Sequence, residues 1–117
     1  MILVLFEVVV KKEGMRDYLA LAAGLKELLA NAEGFIRSER FSSLSQEGTL
    51  LSLSVWENEQ AVDVWRNMVE HRMSQRQGRE KLFESYTITV ASTLRVYTDS
   101  ERTATPEDSR AFFEGGE

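Results

Sequence analysis

Hydrophobic and polar positions alternate along residues 2–11, with Ile2, Val4, Phe6, Val8 and Val10 on one side and Leu3, Leu5, Glu7, Val9 and Lys11 on the other. A period of two with so many β-branched side chains predicts a strand. Both of its sides are largely apolar, so both need cover, and a single helical layer covers only one. From Gly14 the period lengthens. Tyr18, Leu21, Leu25, Leu28 and Leu29 recur at helical spacing with alanines between them, predicting a helix with stop signals at Asn31 and Gly34. Residues 35–41 and 49–57 predict two further strands, most simply a hairpin joined by the polar connector SSLSQEG.

A second helix is expected from Asn58 or Glu59, with Val62, Trp65, Val69 and Met73 in one apolar stripe. The stripe weakens around Asn67, which predicts a bend or two short helices, and Gly78 ends it. After a short turn through residues 79–83, residues 86–97 alternate again. Tyr86, Ile88, Val90, Leu94 and Val96 face one way, opposite Thr87, Thr89, Ala91, Thr93, Arg95 and Tyr97. The order strand, helix, strand, strand, helix, strand predicts an α+β, ferredoxin-like βαββαβ fold with a four-stranded antiparallel sheet. Two helices would cover one sheet face. The other is left for a second subunit, so a homodimer is expected.

Composition narrows the reading. A chain of 117 residues, 43% hydrophobic and 28% charged, fits one globular domain and excludes disordered or collagen-like classes. The opening MILVLFEVVV carries Glu7, is too short to span a bilayer, and lacks both a preceding basic segment and a cleavage site. Neither a membrane partner nor a secretory leader is expected. With no cysteine, disulfides, thiolate metal sites and cysteine nucleophiles are excluded, and the expected compartment is cytoplasmic.

The net charge of −5 argues against a nucleic-acid partner. It is unevenly spread. Residues 98–117 hold six acids against two arginines, a net of −4, whereas residues 1–97 are nearly neutral. With Pro106 and a terminal GlyGly, residues 98–117 are expected to form a flexible acidic tail to a domain of residues 1–97, or else to dock through Phe112 and Phe113.

The one local excess of positive charge runs from Arg66 to Lys81, five Arg/Lys against two Glu, and it contains His71, the only histidine. An anionic ligand could use it. A solvated helix face neutralised by Glu70 and Glu80 is the plainer account. Trp65 lies in the apolar stripe, where an anchor onto the sheet is the ordinary role. His71 follows six residues later, about 120° around a straight helix from Trp65 and nearly opposite Val62. Only a bend near Asn67 would turn it inward, where it would be the credible proton-transfer group or axial iron ligand. Trp56 alternates with Ser54 and Ser52, and Val55, Leu53 and Leu51 form the other row. One row should face the helices and the other a partner subunit. Trp56 would then line a cavity mouth or cap the core. No glycine-rich phosphate loop, nucleophile elbow or metal-ligand spacing is present.

The segments EGFIRSERF, LLSLSVWENEQAVDVWRN and EHRMSQRQGREKLFESYTITVASTLRVY, together with the order of elements, resemble the antibiotic biosynthesis monooxygenase family over about residues 2–97. The resemblance implies a dimeric α/β barrel in which two domains pack sheet against sheet, each with a pocket between helices and sheet. In the haem-degrading branch a first-strand asparagine, a tryptophan on the second helix and a later histidine form the site. Trp65 matches that tryptophan, His71 comes sooner than the pattern requires, and the first strand reads Phe6-Glu7-Val8. In the cofactor-independent oxygenases the second helix carries an asparagine, a tryptophan and a tyrosine. Ala61, Trp65 and His71 occupy those positions here.

The function so implied is a small monooxygenase acting on an aromatic or quinol-type ligand without cofactor or metal. His71 would be the base, Trp65 a pocket wall, and Arg72 or Arg66 the stabiliser of developing negative charge. Two alternatives stay open at this point. One is a haem-binding or haem-degrading protein with His71 on iron and Arg72 or Arg76 on propionates. The other is a non-catalytic dimer that binds a small ligand.

Overall fold

The computed structural model describes residues 1–75 and 82–101 together with 103, 106 and 107, and for 71–75 the backbone alone. Its elements are β1 (Ile2–Val10), a single 3-10 turn at Lys12–Gly14, α1 (Met15–Leu29), β2 (Phe35–Ser42), β3 (Thr49–Trp56), α2 (Glu59–Gln75) and β4 (Phe83–Ser92). The strands form one antiparallel sheet in the order β2-β3-β1-β4. This is the ferredoxin-like α+β arrangement that the alternation and spacing predict. No helix among the described residues is long and apolar enough to cross a membrane.

The connections follow from local chemistry. After α1 the chain turns through Gly34, whose φ of +79° suits a residue without a Cβ, and Gly34 accepts a 2.8 Å hydrogen bond from the Glu57 N–H. The β2–β3 hairpin is closed by Ser43. Its backbone N–H donates to the Thr49 carbonyl at 2.9 Å and its hydroxyl accepts from the Gln46 N–H at 3.1 Å. At the start of α2, Asn58 caps the helix by accepting the Ala61 N–H at 2.9 Å.

Two expectations are corrected. Of the bend or two short helices expected at Asn67, the two helices are corrected: α2 is one α-helix from Glu59 to Gln75. The helical ladder tolerates the weaker stripe there because asparagine on an exposed helix position leaves every backbone bond intact. The last strand runs from Phe83 to Ser92 rather than over 86–97. Among the described residues its only partner is β1, where Ile2 pairs with Ser92 and Val10 with Phe83 across a bulge. One further bond, from the Thr93 N–H to the Met1 carbonyl at 3.0 Å, ends the pairing. The alternation past Ser92 is present in sequence but meets no neighbouring strand among the described residues, and Leu94 is 90% exposed. The expected end of α2 at Gly78, and the flexibility or docking of the tail through Phe112 and Phe113, lie outside the described residues.

Register assigns the two sides of the sheet. Val4 pairs with Ser54 and Val90, and Phe6 pairs with Ser52 and Ile88. The row Trp56, Ser54 and Ser52 therefore shares the side of Phe6 and Val4, which pack with residues of the helices. Val55, Leu53 and Leu51 lie on the opposite side with Leu3, Leu5 and Val9. Glu7 is on that opposite side too, exposed in mid-strand.

Candidate active site

The core is divided. One cluster gathers Val8, Val10, Tyr18, Leu21, Leu82 and Phe83, and another gathers Leu29, Trp56 and Val62. Between them the sheet presents Ser52 and Ser54, side chains too small to fill the space beneath the helices. A cavity of about 740 Å³ results, walled by Leu25 and Leu29 of α1, Val62, Trp65 and Val69 of α2, and Val4 and Phe6 of β1. It runs to the edge strand β4, where Ile88 and Val90 line it and remain 47% and 48% exposed. A concave, mostly apolar space is the ordinary form of a small-molecule site, and this one also takes the charged side chains Lys26, Glu39, Arg40, Arg66 and Glu70 in its lining.

The two tryptophans divide the work. Trp56 is completely buried and donates its indole N–H to the Ser54 hydroxyl at 2.8 Å. It caps the core, and the cavity is lined without it. Trp65 is half-buried, stands 6.0 Å from Trp56 between ring centroids, and lines the cavity. It thus anchors α2 on the sheet and presents a wall to whatever enters.

Of the three residues the sequence singles out for catalysis, Trp65 lies at the cavity. His71 and Arg72 are in the last turns of α2, and their side chains lie outside the described residues. Arg66 lines the cavity but is neutralised by Asp63 at 3.6 Å and Glu70 at 3.8 Å. All three side chains are about half exposed, so the pairs add little stability. The expectation of an acid-neutralised helix face holds for this part of α2.

Sequence reasoning missed Tyr18, Ser38 and Arg40. Tyr18 reads as one more core residue of α1, and it is 5% exposed, with its ring 5.5 Å edge-on from Phe83, yet it lines the cavity. Burial raises its phenol above the ordinary value of 10.0, and the nearby Arg40 charge works in the opposite direction. Arg40 and Ser38 escaped because simple alternation from Phe35 groups it with Arg37, Glu39 and Phe41. The register shifts between Phe35 and Arg37, and the bulge turns Ser38 and Arg40 to the cavity side, opposite Ser54 and Ser52. Among the described residues no three His, Cys, Asp or Glu side chains gather as a metal ion requires.

The family profile of antibiotic biosynthesis monooxygenases matches residues 1–77. The chain belongs to the antibiotic biosynthesis monooxygenase family. It is 39% identical over 90 residues to a Pyricularia oryzae protein named jasmonate monooxygenase ABM, a match that spans 77% of this chain and 42% of that one. The chain therefore corresponds to less than half of that relative. It is 31% identical over 94 residues to the uncharacterised protein YqjZ of Bacillus subtilis, covering 80% of this chain and 81% of that one. The fold is also that of SnoaB, a cofactor-independent oxygenase from Streptomyces nogalater, with a TM-score of 0.65 at 12% identity over 81% of this chain and 94% of that one. At that identity the likeness concerns the fold alone. The position of the cavity, between the helices and the sheet, matches what the family resemblance implied.

Proposed function

We propose that this antibiotic biosynthesis monooxygenase family member oxygenates a small aromatic or quinol-type substrate without a cofactor. The observation that carries the reading is the apolar cavity beside Trp65, large enough for a molecule of two or three rings. In such a reaction a base removes a proton from an electron-rich substrate, and the anion gives up an electron to dioxygen. The radical pair then joins as a peroxide on the substrate carbon. Loss of water leaves a carbonyl, so one oxygen atom enters the product, the other leaves as water, and the substrate supplies all the electrons.

The protein contributes orientation, a base and exclusion of water. In this reading Trp65 is the wall that orients the ring, His71 takes the proton and Arg72 stabilises the anion. A neutral imidazole nitrogen can accept that proton. The protein acts as a homodimer joined through the sheet face that carries Leu3, Leu5, Leu51 and Leu53, which the two helices leave uncovered.

Oxygen uptake by the purified protein tests the proposal, measured against a panel of anthrones, hydroquinones and jasmonate, the last because of the Pyricularia oryzae relative's name. Stoichiometric uptake with a carbonyl product supports it. Uptake that requires added haem or flavin, or none with any member of the panel, overturns it.

A further inference from the structure

The charged side chains lining the cavity are Lys26, Glu39, Arg40, Arg66 and Glu70, of which Arg66 and Glu70 are paired with each other. Trp65 stands over the end of the sheet marked by Trp56. Arg40 and Ser52 share a register position further along, next to Phe6. Tyr18 belongs to the cluster in which Phe6, Val8 and Phe83 meet, so it roofs this second end. From Trp56 to Ser52 is four residues of extended strand, a separation of about 13 Å. The cavity is thus an elongated space with Trp65 toward one end and, toward the other, the Arg40 guanidinium and the Ser52 and Tyr18 hydroxyls among the rings of Phe6 and Phe83.

An arginine that merely solvates an edge strand would be indifferent to what lies under the helices. Arg40 lines the cavity, as does Tyr18, and its charge acts on the Tyr18 phenol. Arg66 has two carboxylates within 4 Å, whereas among the described residues none lies within ion-pair distance of Arg40. Tyr18 keeps its proton through the neutral range, so it can only donate to an anion.

We propose that the cavity selects amphipathic carboxylates, with the acid group held by Arg40 and Tyr18 and the apolar body lying past Phe6 and Leu25 toward Trp65. This rests on the reading of the cavity as a ligand site and adds the chemical class it prefers. A carboxylate gains charge-assisted bonds from the guanidinium, and the phenol supplies a further donor in a partly dehydrated place. An ester of the same shape keeps the apolar contacts and loses the charge. The polar end fixes which way round the molecule lies, so it sets which carbon reaches the Trp65 end.

Calorimetric titration of the full chain with 4-phenylbutyrate and with its methyl ester tests this directly. The acid should bind about tenfold more tightly than the ester. Arg40→Gln should bring the acid down to the affinity of the ester and leave the ester unchanged, Arg40→Lys should keep part of the preference, and Tyr18→Phe should lose a few-fold of it. Equal affinity of acid and ester, an Arg40→Gln protein that binds the acid as before, or no acid binding at millimolar concentration overturns the proposal. Arg40 is exposed, so unaltered circular dichroism is expected for its variants. The titration needs no turnover. An Arg40-dependent acid preference in a protein that consumes no oxygen would leave this inference standing and remove the oxygenase reading. Oxygen uptake with neutral hydroquinones and no acid preference would do the reverse.

Discussion

Gly34 passes so close beneath Ala61 that a Cβ added to it would lie 2.6 Å from the Ala61 Cβ. The turn into β2 and the first turn of α2 are therefore packed backbone against side chain, and the position of α2 over the cavity depends on that contact. Gly34→Ala incurs both the left-handed backbone cost of about 1–2 kcal/mol and the displacement of α2. Gly24, inside α1 with open space around it, makes the contrast. Gly24→Ala should stabilise by about 0.5–1 kcal/mol. Urea denaturation of the two variants should move the midpoint in opposite directions.

Ser54 is 9% exposed and its hydroxyl accepts the indole N–H of the fully buried Trp56. Ser54→Ala would strand that donor in the core, at a cost of about 1–3 kcal/mol. Ser52→Ala faces the cavity, strands nothing of this kind, and should stay within about 0.5 kcal/mol of the parent. Equal thermal stability of the two variants would contradict the role assigned to Ser54.

How far the sequence already spoke is visible in such pairs. Alternation identified β1, β2 and β3 because a side-chain period of two admits no other element over that length. It also separated Trp56, Ser54 and Ser52 from Val55, Leu53 and Leu51, but pattern alone could not say which row meets the helices. Register settles that, since Ser52 pairs with Phe6 and Ser54 with Val4. Arg40 was hidden by a one-residue bulge that inverts the side of everything after it. The length of β4 depends on where β1 begins, a relation between strands that no local window contains. The continuous α2 likewise reflects its backbone bonds and its packing through Val62 and Trp65 rather than the stripe at Asn67.

The dimer is tested on the sheet face away from the helices. Leu53 sits in the centre of that face, opposite Leu5. Sedimentation should give about twice the 13.4 kDa chain mass for the parent, and Leu53→Arg should shift it toward the monomer because a charge buried in an apolar interface is heavily penalised. A parent that sediments as a monomer at micromolar concentration would rule out this assembly.

Tyr18 supplies a pH dependence of defined sign. Its phenol is raised in the folded state, chiefly by burial, so the folded protein holds this proton more tightly than the unfolded chain does. The associated stability is complete below the ordinary value of 10.0 and is lost as pH climbs through the folded-state value. Denaturation measured above about pH 10 should show the parent losing stability faster than Tyr18→Phe. Arg40→Gln removes the opposing influence and should push the Tyr18 titration, followed by phenolate absorbance, still higher. A Tyr18 that titrates with the exposed phenols would overturn the burial argument.

His71 remains the decisive residue for the oxygenase reading. If it is the base, His71→Ala should lower oxygen uptake by about 10²–10⁴-fold while leaving the fold and the dimer intact. Trp65→Phe separates orientation from proton transfer. It keeps an aromatic wall beside Trp56 and should weaken substrate binding without abolishing turnover. Full oxygen uptake by His71→Ala would transfer the role of base to another group. A loss of uptake accompanied by loss of the dimer would instead mark His71 as structural, and binding of 4-phenylbutyrate to the same variant distinguishes a damaged cavity from a missing base.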